Sequence, residues 1–245
     1  MTFLYELFGR LMYYLYELCG NYGLAIVLFA VAAKIIMLPL TIKQYRSTQL
    51  MQLLQPAQEV LQKKYAKNQT KMNEELQKLY QKYNYSPLSG CLPLLIQFPL
   101  IIGLWGALRE PVKYVFGTEE AFESVSKAFL WIKQMTLSPV DLFKAQRISP
   151  EFLLSLIFPI LSIVLTLIQQ AETNKKQKGS QNDQMKMMST MMTVFIAYIS
   201  FTFNQGIAIY WTMQTGLGLI QNWIMEKFFP LNIEPPKIVK KGGQA

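Results

Sequence analysis

Histidine is missing altogether from the 245 residues, cysteine occurs only twice, and charged residues make up no more than 16%. Without imidazole the chain lacks the commonest metal ligand, the usual base of Ser-His and Cys-His nucleophile pairs, and a proton relay that titrates near neutrality. It also has no Gly-x-x-x-x-Gly-Lys-Ser/Thr and no Gly-x-Gly-x-x-Gly segment, so no loop that cradles phosphate or a dinucleotide is legible. These absences exclude most enzyme classes, and the chain reads as a non-enzyme with neither metal nor cofactor. Cys19 and Cys91 fall near opposite faces of a bilayer in the span reading that follows, farther apart than the ~7 Å between Cα atoms that a disulfide allows. Both are expected to be free thiols.

What the chain does have is apolar length and positive charge. Half of it (51%) is apolar, the formal charge is +9 and the pI is near 9.4, a balance that suits a membrane protein with basic cytosolic parts. Five stretches reach the roughly 17 to 20 residues that a helix needs to cross hydrocarbon: 22–41, 88–108, 152–171, 187–203 and 206–225. The last four carry no charge. Asn204 and Gln205 alone separate the fourth from the fifth, which predicts an antiparallel hairpin. The expected architecture is all-α and polytopic.

With the N-terminus outside, the cytosolic segments 42–87, 172–186 and 226–245 hold sixteen Lys and Arg, against seven in the outer segments 1–21, 109–151 and 204–205. That asymmetry predicts N-out, C-in, with a basic inner face suited to anionic lipid or ribosomal RNA. The first 21 residues resemble a signal peptide, but Glu6 precedes the first basic residue and no small-x-small site follows, so the segment is expected to stay attached. Phe3, Leu4, Leu7, Phe8, Leu11, Leu15 and Leu18 recur at helical spacing against Glu6, Arg10, Tyr13 and Glu17. The pattern is either a helix lying in the interface or a sixth, irregular span.

Between the first two spans, Leu50, Leu54, Val60 and Leu61 form one apolar side and Met72, Leu76, Leu79, Tyr80 and Tyr83 another, with Asn68 and Gln69 between them. This predicts a cytosolic helical hairpin, either a plain solvated element or an arm that receives a substrate or partner. The methionines Met185, Met187, Met188, Met191 and Met192 are open to two readings as well: ordinary apolar filling, or a surface adaptable to many apolar sequences. So is the end of the chain, where Lys237, Lys240 and Lys241 after Pro235-Pro236 form a basic tail that serves orientation alone or docks on a ribosome or lipid headgroups.

Lys34 breaks the rule that the rest of the membrane segments obey. It lies about 15 Å from either end of the first span, where a lysine costs ~2.5 to 3.5 kcal/mol and is too short to lift its ammonium into the headgroups. Polar residues on other spans offer to line a wet interior: Gln97 between Pro93 and Pro99, Gln169 and Gln170 at the end of the third span, and Trp211 and Gln214 in the fifth. No Asp or Glu lies within any span, so the lysine has no internal carboxylate partner and invites an anionic visitor. The competing reading is a lysine that snorkels partway and stabilises packing through carbonyls.

The segments "NYGLAIVLFAVAAKIIMLPLTIKQYRSTQLMQLLQP" and "SPLSGCLPLLIQFPLIIGLW", followed by "FLWI", "IFPILS", "LIQQ" and "GIAIYWTMQTGLGLIQNW", resemble the YidC-type membrane protein insertases, bacterial relatives of the mitochondrial Oxa and chloroplast Alb proteins. The resemblance runs from about residue 20 to 226, in the same order, and is to the short form without a large periplasmic domain. It implies five transmembrane helices around a hydrophilic groove open to cytosol and lipid, a cytosolic hairpin, and a place in the bacterial cell membrane. It further implies insertion of short-tailed nascent membrane proteins, alone or beside the Sec translocon. Ribosome and anionic lipids are expected partners; specific DNA binding is not expected. Where the family's best-studied members carry a groove arginine, five residues before the Leu-Pro-Leu proline, this chain has Lys34. Positive charge is kept, but the planar fork is lost. The expected substrate-binding residues are Lys34, Gln97, Gln169 and Trp211. A small-solute or proton-coupled transporter using Lys34 is the rival reading, and a scaffold for a membrane complex a third.

Overall fold

The computed structural model describes residues 2–86, 92–125, 128–176, 183–230 and 233. Among them every regular element is a helix, with a single isolated bridge between Phe129 and Ile132 in place of any sheet. The elements are α1 (Thr2–Cys19), α2 (Tyr22–Ile36), α3 (Leu38–Lys64), α4 (Gln69–Lys82), α5 (Leu92–Arg109), a π-helical turn (Val112–Phe116), α6 (Glu119–Glu123), α7 (Pro139–Gln146), α8 (Pro150–Ser155), α9 (Ile157–Lys176), α10 (Asp183–Thr202) and α11 (Gln205–Phe228). Cys91 and the basic tail lie outside the described residues, as do residues 177–182. Cys19 is a free thiol.

Among the described residues one helix is long and apolar enough to cross a bilayer on its own, the stretch Pro150–Thr173 that joins α8 to α9. Helices α1 and α2 pass the same test only as a pair, and they are bent 118° from each other. The bend sits at Gly20, whose φ of +65° suits a residue without Cβ, and Asn21 then opens α2 by accepting the Leu24 N–H at 3.0 Å. The segment 22–41 is itself divided. Helix α2 stops at Met37, and Pro39 occupies the first turn of α3, where its missing N–H costs nothing.

Helix α1 presents three faces. Gly9 and Met12 are buried against the bundle, Glu6, Arg10, Tyr13 and Glu17 are exposed on a second side, and Phe3, Leu7, Leu11, Tyr14 and Leu18 are exposed on a third. A helix in water has no use for that third, apolar stripe, whereas one lying where bundle, lipid and water meet uses all three. Its bundle face docks on α5 through glycines. A Cβ at Gly103 would come within 2.1 Å of the Phe8 ring, and one at Gly106 within 2.3 Å of the Tyr5 ring. Gly103→Leu is therefore expected to lift α1 from α5. In a Cys91→Ser background the measurement is maleimide labelling of Cys19, which should rise severalfold; unchanged labelling would show that α1 is held elsewhere.

The core gathers at one end of the bundle. Tyr22, Ile26, Phe29 and Ala30 of α2, Leu104 and Leu108 of α5, Phe116 of the π turn, Ile132, Met135, Phe158 of α9, Ile199 of α10, and Ile207 to Tyr210 of α11 form one buried apolar cluster. Several polar groups inside it pair between helices, as burial away from water favours, while the Tyr22 hydroxyl and Gln205 Oε1 stay buried without a partner. Pro159 has no N–H to offer the Ser155 carbonyl, and the buried Gln205 takes it with Nε2 at 3.1 Å. The Thr212 hydroxyl reaches the Phe158 carbonyl at 3.1 Å, and Ser162 pairs with Ser200 at 3.1 Å. The turn before α11 is pinned from several sides. Asn204 Nδ2 donates to Leu108 O at 2.8 Å, Gln205 N–H to Leu137 O at 3.1 Å and Gly206 N–H to Met135 O at 3.2 Å.

At the opposite end α3 and α4 form the hairpin expected from sequence. Leu50 and Leu54 pack under Tyr85, with Leu79, Tyr80 and Tyr83 around them, in a small core separate from the main one. Burial pushes the Tyr80 and Tyr85 hydroxyls above their ordinary range. Of the methionine run, Met187 and Met191 are exposed.

Candidate functional site

Lys34 lies where the buried face of α2 gives out. Ala30 and Ala33 beside it are covered, while the lysine is only half-buried and opens on a cavity of about 410 Å³. Five helices wall this space. Lys34 comes from α2; Met37 precedes Thr41, Gln44, Tyr45, Thr48 and Gln52 of α3; Gln97 comes from α5; Gln169, Glu172 and Thr173 from α9; and Gln214, Gly218, Gln221 and Asn222 from α11. Each set follows helical periodicity: positions 37, 41, 44, 48 and 52, positions 169, 172 and 173, and positions 214, 218, 221 and 222 each fall on one face.

The ammonium rests against α11 at its smallest residue. A Cβ built on Gly218 would stand 3.5 Å from Lys34 Nζ and 3.3 Å from Gln169 Nε2, so the glycine leaves room for both groups. Deeper in, the buried Tyr210 hydroxyl accepts from Gln97 Nε2 at 3.4 Å and from Gln214 Nε2 at 3.2 Å, which joins α5 to α11 under the cavity. Gln214 Oε1 is buried without a hydrogen-bond partner. Lys34 forms no ion pair among the described residues.

Three of the four residues expected from sequence, Lys34, Gln97 and Gln169, thus face one cavity. Trp211 does not line it. Gln205 to Thr212 are buried without interruption, and Trp211, 7% exposed, belongs to that packed half of α11 rather than to the open half that starts at Gln214. The cavity also adds a residue that the sequence reading did not single out. The spans hold no carboxylate, yet Glu172, just past the third of them, lines the same cavity at an exposed position one turn beyond Gln169. Gln44, Gln52, Gln221 and Asn222 are cavity residues that apolar periodicity on α3 and α11 does not single out. Their signal is the polar stripe left on the opposite side of the same periodicity. No group of His, Cys, Asp or Glu able to hold a metal occurs among the described residues.

Comparison with known proteins gives this geometry a family. A family model described as 60Kd inner membrane protein matches residues 14–232. The membrane protein insertase YidC of Caldanaerobacter subterraneus subsp. tengcongensis is 35% identical over 218 residues, covering 88% of this chain and 90% of the relative. YidC of Fusobacterium nucleatum is 29% identical over 231 residues, 93% of this chain and 98% of the relative. The membrane protein insertase MisCA of Bacillus subtilis is 31% identical over 242 residues, 96% and 82% of the two chains. Among solved structures, a crystal structure of active YidC insertase with its first transmembrane domain resolved aligns with a TM-score of 0.58 at 28% identity, over 90% of this chain and 44% of that one. None of these relatives is named a transporter. Family model, full-length relatives and fold agree, and the chain belongs to the 60Kd inner membrane protein family, that of the YidC membrane protein insertases.

Proposed function

We propose that this protein inserts nascent membrane proteins with short polar tails into the bilayer, using the cavity around Lys34 as the place where the tail leaves water. The observation that carries the reading is a lone cation in an amide-rich cavity at one end of a bundle whose other end is packed dry and laced shut. In this reading five spans surround the groove: α2 with the first turn of α3, α5, α8 with α9, α10, and α11. The N-terminus and α1 lie at the outer surface, and the hairpin and C-terminus lie in the cytosol. The relatives' names point to insertion, and the count of Lys and Arg on the two sides supports the orientation.

Energetics follow from the geometry. A tail crossing bare hydrocarbon loses water from every polar group, at several kcal/mol each. The cavity carries water and amides to the depth of Lys34 and shortens that passage. The ammonium favours an acidic tail, and a potential positive outside adds ~2.3 kcal/mol per acidic charge per 100 mV. Burial of the client's own apolar segment, at roughly 25 cal/mol per Å², drives the process without nucleotide. The exposed apolar side of α9, including Ile160, Val164, Leu167 and Ile168, offers a lipid-facing path beside the cavity. The Sec translocon, the ribosome and anionic lipids are partners in the same proposal, the last two through the basic cytosolic segments.

The test is reconstitution. Purified protein in liposomes should integrate a single-span client with a short acidic tail, scored by protease protection, and a photoreactive residue at Gln97 or Asn222 should crosslink the tail. Integration no faster than in protein-free liposomes would sink the reading. Counterflow of a small anion without integration would establish a transporter instead.

A further inference from the structure

The polar side chains around the cavity fall into two classes. Its threonine hydroxyls are already engaged: Thr41 donates to the Met37 carbonyl at 3.0 Å, Thr48 to the Gln44 carbonyl at 3.1 Å and Thr173 to the Gln169 carbonyl at 2.9 Å. Most of the carboxamides are not, Gln97 and Gln214 being held through Nε2 by the Tyr210 hydroxyl. Gln44, Gln52, Gln169, Gln221 and Asn222 have no side-chain hydrogen bond among the described residues. Gln214, 9% exposed, keeps Oε1 unpaired although its Nε2 is held by Tyr210.

A free carboxamide presents a donor and an acceptor side by side without charge, the same pair that a peptide bond presents. Spaced along three helices, such groups match a ligand that repeats N–H and C=O along its length. Gln44 and Gln52 are about 12 Å apart along α3, the reach of three to four residues of extended chain. We propose that the cavity recognises the main chain of an extended polypeptide tail, its free carboxamides pairing with backbone N–H and C=O groups whatever the side chains, while Lys34 adds a contact selective for acidic residues. The inference rests on the insertase reading and names what the cavity holds. Such pairing would let one site accept tails that have only their backbone in common. It also assigns the amides a role that hydration alone does not require.

The test removes backbone donors from the client and leaves the protein intact. Two synthetic single-span clients carry tails of equal length and charge, one built on glycine and one with sarcosine at the same positions, which lacks the N–H. In protein-free liposomes the sarcosine tail should cross at least as fast, because it has fewer groups to dehydrate. With the full-length protein the order should reverse, the sarcosine tail integrating about tenfold more slowly for the loss of a few hydrogen bonds. Gln44→Leu combined with Gln52→Leu and Gln221→Leu should erase the difference between the two tails. Sarcosine and glycine tails integrating equally fast through the wild-type protein would overturn the inference and leave the proposed function standing. Failure of both tails to exceed protein-free liposomes would overturn the two together.

Discussion

Lys34→Glu is expected to cut integration of an acidic-tailed client by about tenfold or more, Lys34→Ala to cut it less, and Lys34→Arg to leave it near wild type. At ~4 Å a unit charge pair is worth about 1 kcal/mol in bulk water and about 4 kcal/mol at the effective dielectric of a protein surface. Lys34 is half-buried in a polar cavity, so its contact falls between these limits, and tenfold corresponds to about 1.4 kcal/mol. The glutamate variant loses more than the cation. With Glu172 already lining the cavity, it leaves two carboxylates and no positive charge there. A client with an uncharged tail of the same length should respond weakly to all three variants. Equal integration of the acidic-tailed client by Lys34→Glu and Lys34→Arg would remove electrostatics from the mechanism.

Gly218→Leu should be the more general lesion. An alanine at this position meets Gln169 Nε2 at 3.3 Å and Lys34 Nζ at 3.5 Å, which small side-chain shifts relieve, so a loss of a few-fold is expected. Leucine extends farther, into the space that the ammonium and the Gln169 amide now share, and replaces water there with hydrocarbon. Integration of acidic and neutral tails alike should then drop by about tenfold or more, the cation having become harder to reach and the cavity smaller. The direction of the stability change separates this from misfolding. Replacing a mid-helix glycine favours the helix by up to about 1 kcal/mol, so thermal unfolding of Gly218→Leu should hold or rise while activity falls. If stability and integration fell in parallel, Gly218 would be a packing glycine only.

Membrane insertion forces apolar runs, so α5, α9, α10 and α11 stand out in the amino-acid sequence, and the sharp turn at Asn204 follows from chain length alone. Lys34 is conspicuous because a charge inside such a run has a large cost. Gln97 and Gln169 stand out by the same contrast with their surroundings. Trp211 misleads because an aromatic next to polar residues is ambiguous at the level of sequence. Whether it faces a cavity or a core depends on how far the packed half of α11 extends, and here packing continues through Thr212. Glu172, Gln44, Gln52, Gln221 and Asn222 are hidden for another reason: polar residues near the ends of apolar runs look like ordinary solvated flanks until neighbouring helices enclose them. Pro39 signals the division of the first span at Met37, but nothing local reveals that α3 carries a wall of the cavity beyond it.

The one-sided plan of the bundle also shapes the electric field. In the proposed orientation, water and ions follow the cavity to the level of Lys34, so the membrane voltage does not fall evenly across the bilayer. Most of it drops over the thin insulating layer formed by Phe29, Ile26, Leu104, Ile207 and Tyr210. An acidic residue resting beside Lys34 already stands at the edge of that steep gradient, and the whole potential acts on the last short step outward.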